Sequence, residues 1–238
     1  MGINFHKFDE GKTRIDSAEA MYDVVKEYGI IPFFENVVPG YSVEELTAPQ
    51  YWFDGEDDML GPWDWKIELV RSGDIAYGKF LLGGKAAFAT VPLYRELMNY
   101  RRSLEKYRPK DAMQQAAYDF ILKNGSASVK DLRLALGLTK GRVDAILARL
   151  QMDTLVITGD IERVYRGPEL KYNGWQHSSF CTPDALFADD DDIPFFAAAR
   201  KKTVAVSHTP EESYRILSAR IKEIAPAADD RDISRILG

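Results

Sequence analysis

Residues 111–166 read DAMQQAAYDFILKNGSASVKDLRLALGLTKGRVDAILARLQMDTLVITGDIERVYR. Ala112, Ala116, Phe120 and Ile121 recur on one stripe between Asp111 and Lys123, and Asn124-Gly125 stops the run, so a first helix of about three turns is predicted. Ser128 caps a second helix, with Val129, Leu132 and Leu136 inside and Gly137 closing it in the left-handed conformation. Thr139 caps a third, in which Val143, Ile146, Leu147 and Leu150 follow the i, i+3, i+4, i+7 spacing of a buried face. A β-rich run from Thr154 to Thr158 comes next, with Gly159-Asp160 as a turn. Ile161 to Arg166, a Gly167-Pro168 break and Gly174 to Thr182 complete the pattern. Three helices followed by strands and a hairpin predict a winged helix-turn-helix.

Charge is distributed unevenly around this unit. Residues 1–93 carry 8 Lys+Arg against 16 Asp+Glu, residues 94–150 carry 12 against 6, and residues 151–238 carry 11 against 15, giving nets of −8, +6 and −4. In such a motif the third helix enters the major groove while neighbouring cations and backbone N–H groups hold phosphates. Arg101, Arg102, Lys140, Arg142, Arg149 and Arg166 are the expected phosphate contacts, supported by Lys106, Arg108, Lys110, Lys130, Arg133 and Arg163. At about 100° per residue, the side of the third helix facing away from its core is Gly141, Ala145 and Ala148. Small apolar side chains read few base edges. Such a face suits close approach of a nucleic-acid backbone, or cover by another part of the chain. The expected partner is double-stranded DNA, bound without sequence preference. The alternative is a winged helix used only for packing or protein interaction, with Gly141, Ala145 and Ala148 buried against the first lobe. A transcription regulator is the weaker third reading.

With 238 residues, 45% of them hydrophobic, the chain can fill two lobes of about 100 residues each. A single cysteine, Cys181, excludes an internal disulfide framework and fits a reducing compartment. The N-terminal residues lack the apolar core of a signal peptide, and no stretch approaches a membrane-spanning length, so a cytoplasmic protein with no membrane contact is expected. His6, His177 and His208 lack metal-ligand spacing, and neither a metal site nor a cofactor is expected. Gly83-Gly84-Lys85 lacks the frame of a phosphate-binding loop and reads as a hairpin turn.

The fold class expected is α+β: a winged helix-turn-helix packed against an N-terminal α+β lobe with a β-meander, plus C-terminal helices. The domains expected are 1–108, 109–184 and 185–238. In the first, Asp16 with Glu19 reads as a capping box for a helix that Gly29 ends, and Ser42 with Glu45 as another. Trp63 to Arg71, Asp74 to Leu82 and Lys85 to Val91 read as three strands, and Pro92 starts a helix. In the third, the aspartates at 189–192 read as a solvated link. Thr209 with Glu212 starts a helix, and a short one covers Asp230 to Leu237.

Tryptophans and carboxylates lie side by side in the first lobe. Trp52, Trp63 and Trp65 are candidates for stacking on an extruded base, and Asp64, Lys66 and Lys79 are the weak catalytic candidates. On a strand, Trp63 and Trp65 would share one face and Asp64 and Lys66 the other, which argues against a common pocket. The words Gly61-Pro-Trp-Asp-Trp-Lys66, Arg71-Ser-Gly-Asp74, Ala76-Tyr-Gly-Lys-Phe80 and Asn99-Tyr-Arg-Arg102 resemble the AlkZ-related proteins, as do Arg149-Leu-Gln-Met-Asp-Thr154, Gly174-Trp175 and Thr182-Pro-Asp-Ala-Leu-Phe187. The resemblance spans about residues 30 to 190. It implies kinship with AlkZ DNA glycosylases, which are built from tandem winged helices and marked by a Gln-x-Gln or Gln-x-Asp catalytic motif. Gln114-Gln115 and the single Gln50, Gln151 and Gln176 are not read as that motif, so no catalytic residue is carried over. Whether the chain is a glycosylase-like enzyme stays open at this point.

Overall fold

The structure is a computed structural model that describes residues 13–52, 60–187 and 206–238. His6, the acidic run Asp54–Asp58 and the aspartates at 189–192 lie outside the described residues. The architecture is mixed helix and sheet, as an α+β reading requires, and it is organised around two apolar cores.

The first core is built on helix α1 (Ala18–Tyr28), strand β1 (Ile30–Pro32), the short helix α2 (Val43–Leu46), helix α3 (Pro62–Arg71), strands β2 (Ile75–Leu81) and β3 (Lys85–Thr90), and helix α4 (Val91–Arg102). Its sheet runs β1-β3-β2, all antiparallel, with Ile31 opposite Phe88 and Tyr77 opposite the same residue from the other side. Ser17, not Asp16, caps α1, its hydroxyl accepting the Ala20 N–H at 3.1 Å. Ser42 caps α2 as its sequence predicts.

Residues 63–71 overturn the β-meander. They form α3, which starts with Gly61 as cap and Pro62 in the first turn, a placement that suits the fixed φ and missing N–H of proline. Pro62, Asp64, Trp65, Lys66, Ile67, Leu69 and Val70 are all buried. A helix covered on nearly every side has no single apolar stripe. Its alternating Trp-Asp-Trp-Lys start therefore imitates a strand. The third strand of the sheet is β1 instead.

The second core holds helix α5 (Ala112–Asn124), strand β4 (Ser126–Ser128), helices α6 (Val129–Leu136) and α7 (Lys140–Met152), and the long strands β5 (Ile157–Arg166) and β6 (Lys171–Cys181). The sheet order is β4-β6-β5, antiparallel throughout. In α5 Ile121 is buried and Phe120 packs on the core as predicted, while Ala112 is exposed and Ala117 and Tyr118 take the inner side, so the face is rotated from the predicted stripe toward Ala117 and Tyr118. Ser128 and Asp131 form a full capping box on α6, and Gly137 ends it at φ 66°. Gly159-Asp160 is not a turn. The β5–β6 ladder carries irregularities at 158/160 and 163/165, and the chain reverses over residues 167–170. Bulges of this kind bend a strand without ending it.

After the short helix α8 (Pro183–Leu186), helices α9 (Pro210–Ile224) and α10 (Asp230–Leu237) return to the first core. Leu217, Ile221, Ile233, Ile236 and Leu237 are buried there, together with Ile157, Cys181 and Phe187. The two cores are stitched by α3 lying on β5, where Ile67 and Val70 pack on Ile161 and Arg71 pairs with Asp160 at 2.8 Å.

Candidate functional site: a seam and an exposed helix

One carboxylate of the first lobe gathers three donors from the β5–β6 hairpin. Asp64, in the first turn of α3, accepts hydrogen bonds from the Tyr172 hydroxyl at 2.6 Å, Arg163 Nε at 3.2 Å and Gln176 Nε2 at 3.4 Å. Gln176 Nε2 also reaches the Trp63 carbonyl at 2.8 Å. Gln176 Nε2 also donates to the Tyr172 hydroxyl at 2.9 Å, so the two share one face of the hairpin despite the ladder irregularity between them. The Asp64 carboxylate thus fastens the β5–β6 hairpin to the first lobe. Burial pushes the Tyr172 hydroxyl up from its ordinary pKa, and its bond to Asp64 adds to the shift.

Lys66 adjoins this bond network at the Trp63 carbonyl and sits on the rim of an aromatic cluster. Its ammonium donates to the Trp63 carbonyl at 2.8 Å and sits 4.5 Å from the Trp63 ring centre. Burial pulls it down to about 8, against the opposing pull of Asp64. Trp63 and Trp52 pack around Phe33, at 5.2 and 5.5 Å between ring centres, and Trp65 leaves the other side of α3 to meet Tyr51 at 5.2 Å. Trp52 and Trp65 are 6% exposed, so neither is placed to receive a base, and Trp63 is 39% exposed. The shared face expected of Trp63 and Trp65 is lost with the strand, since neighbours two apart on a helix point nearly opposite ways.

Lys79 belongs elsewhere. Its backbone N–H donates to Gln151 Oε1 at 3.0 Å, and Gln151 Nε2 donates to the Leu147 carbonyl at 3.1 Å. Gly78 permits this approach, because a Cβ there would stand 2.7 Å from Gln151 Oε1. A cavity of about 110 Å³ between β2, α7 and β6 is lined by Tyr77, Lys79, Asp144, Gln151, Thr158 and Ser178, among others.

Gln151-Met152-Asp153 has the Gln-x-Asp spacing, which corrects the reading of Gln151 as isolated. The two side chains do not meet over one cavity. Gln151 turns to β2, whereas Asp153, at the C-terminal cap of α7, pairs with Arg149, whose Nη2 stands 2.9 Å from Oδ1. Asp153 is buried, and the cost of desolvating its charge raises it to about 6 despite Arg149. A carboxyl raised in the folded state holds its proton where the unfolded chain has lost it, so the contribution of Asp153 to stability falls as pH rises from about 4 to about 6. Asp153→Asn is expected to flatten that slope by about 2 kcal/mol across the window. Urea denaturation at several pH values reads it, and an unchanged slope in the variant would count against the assignment.

The six cations expected on phosphate divide into two groups. Arg101 is fully buried, donating to the carbonyls of Met152 at 2.9 Å and Leu237 at 3.2 Å, so it faces the core and no solvent. Arg102 grips Asp184 at 2.7 Å and the Thr154 carbonyl at 2.9 Å. Arg149 is committed to Asp153 and the Lys106 carbonyl. These three tie elements together; the Arg149–Asp153 pair has the local i, i+4 spacing, whereas the other partners are backbone carbonyls or the distant Asp184, which no spacing reveals. Lys140, Arg142 and Arg166 stand in solvent: Lys140 next to Asp144 at 2.7 Å, Arg142 3.9 Å from Asp111, Arg166 over the Trp175 ring at 5.5 Å. On α7, Gly141 and Ala145 are exposed, and a Cβ at Gly141 would meet nothing within 4 Å among the described residues. The burial that the packing alternative demands is absent at these two positions, and Ala148, the third, is half-buried.

No group of His, Cys, Asp and Glu among the described residues could hold a metal ion, and no helix there is long and apolar enough to cross a membrane. Cys181 is buried, and burial pushes its thiol up to about 12.

The described residues thus form two cores, joined by the β5–β6 hairpin at Asp64, with Lys140, Gly141, Arg142 and Ala145 exposed on α7. The model of the family described as AlkZ related matches residues 15–238, and the chain belongs to that family. No curated protein and no solved structure matches it.

Proposed function

We propose that residues 109–184 are a winged helix that binds double-stranded DNA without reading its sequence. The observation that carries this reading is the outward face of α7, where Gly141 and Ala145 are exposed between Lys140 and Arg142. The order α5-β4-α6-α7-β5-β6, with β6 between the other two strands, supports the motif. Membership in a family named for AlkZ supports DNA as the partner. Exposed Lys130 and Arg133 on α6 extend the basic surface. Phosphate contacts supply affinity and a flat face of small residues lets the backbone close in, while few base edges can be read. This reading assigns binding and no chemical step.

The test is fluorescence anisotropy of labelled duplexes of unrelated sequence, titrated with the full chain at rising salt. Affinity is expected to be similar across sequences and to fall steeply with salt. The double variant Lys140→Glu with Arg142→Glu is expected to lose about tenfold or more at low salt and to flatten the salt slope by about two. No binding at low salt, or unchanged binding by the double variant, would remove DNA contact from this face.

A further inference from the structure

The end of the β5–β6 hairpin carries three large apolar side chains in water: Tyr165 is 53% exposed, Leu170 68% and Trp175 60%. They are not a spill of the core. Tyr172 and Gln176 bond Asp64 and each other on the inner face, while Trp175, at the ladder irregularity between them, has its ring against Arg166 instead. The inner face is fixed to the first lobe through Asp64, so the outer face cannot fold back without breaking those bonds. Arg166 lies with its guanidinium 5.5 Å from the Trp175 ring centre, and Tyr165 meets Tyr172 at 5.8 Å. Lys171 stands opposite Arg166 on the ladder, exposed, with Glu169 at 3.3 Å. The hairpin thus presents an exposed indole with a cation against its ring, on an arm bonded to Asp64.

An exposed ring with an arginine against it fits a nucleobase next to a phosphate, since bases stack on aromatic side chains whatever their sequence and the cation serves the backbone. A base inside an intact duplex has no free face to offer. Resting on the DNA-binding reading above, we infer that the hairpin end is a second contact, in which Trp175 stacks on unpaired bases and directs the protein to DNA with a locally opened or single-stranded stretch.

The experiment compares a perfect duplex with one of the same length holding a central run of mismatched thymines, by anisotropy with the full chain. Wild type is expected to bind the opened duplex about tenfold more tightly. Trp175→Ala, at an exposed position where folding is not at stake, is expected to erase that preference while leaving perfect-duplex affinity within about twofold. Trp175→Phe is expected to keep most of it, because the ring face remains. Equal wild-type affinity for the two duplexes, or a preference that survives Trp175→Ala, overturns this inference and leaves the DNA reading intact. Binding to neither duplex overturns both. Self-association that Trp175→Ala abolishes would assign the tip to a second copy of the chain and overturn it as well.

Discussion

Arg101→Ala is expected to cost about 3–5 kcal/mol of folding stability, which for a chain of this size lowers the melting temperature by about 10 °C. Arg101 leaves α4 and reaches the ends of two other elements, the Met152 carbonyl at the end of α7 and the Leu237 carbonyl at the end of α10. Its guanidinium also lies 5.0 Å from the Tyr107 ring centre. Truncation strands two buried carbonyls and opens a hole of side-chain size. Burial pulls the pKa of this guanidinium down, so the charge is held at a cost that its carbonyl partners offset. Arg101→Met keeps most of the volume and isolates the lost hydrogen bonds, and it is expected to recover part of the stability. Thermal denaturation of the three proteins reads both terms. If Arg101→Ala melts within about 2 °C of wild type, the side chain is not the tie described here. The folded fraction of either variant is expected to bind duplex DNA normally, because a side chain with no solvent face touches no phosphate.

Arg101 also shows where sequence reasoning reaches its limit. Caps and turns are local, so Ser128, Gly137 and Thr209 are readable from a few neighbours, and the structure places them as read. The apolar face of α7 is legible for the same reason, since Val143, Ile146, Leu147 and Leu150 share one core. A cation, however, looks alike in sequence whether it faces water or a buried carbonyl. Arg101, Arg102 and Arg149 sit in the most basic stretch of the chain and are spent on its interior contacts. The α3 segment fails for a different reason. Periodicity separates helix from strand only when one side meets water, and α3 has almost no such side. The Asp64 seam joins residues about 100 positions apart, so no spacing rule could have found it. Tyr172 and Gln176 on one strand face were the available hint. Trp175 was visible as a residue but not as a contact, because only the latch on the opposite face makes its exposure informative.

Gly61→Ala is expected to be the most damaging single methyl in the described chain, at about 2–4 kcal/mol. The backbone at Gly61 is ordinary, with φ −135° and ψ −168°, so any residue could adopt it and space alone decides. A Cβ there would stand 1.8 Å from the Tyr51 carbonyl oxygen and 2.9 Å from its carbon, against backbone that cannot swing aside as a side chain would. The Gly61 carbonyl accepts the Asp64 N–H at 2.8 Å and the Trp65 N–H at 2.9 Å, so moving Gly61 moves the first turn of α3. That turn carries Asp64, and with it the anchor of the β5–β6 hairpin. The loss should therefore spread from stability to function: the Gly61→Ala protein is expected to unfold at lower urea and, where still folded, to discriminate less between opened and perfect duplexes. Asp64→Asn separates the two effects, since it keeps α3 in place while weakening the grip on Arg163. Unchanged urea midpoints for Gly61→Ala would mean that Tyr51 does not close on this glycine. Lost discrimination in Gly61→Ala but not in Asp64→Asn would place the coupling in the position of α3 as a whole, with the carboxylate dispensable to it.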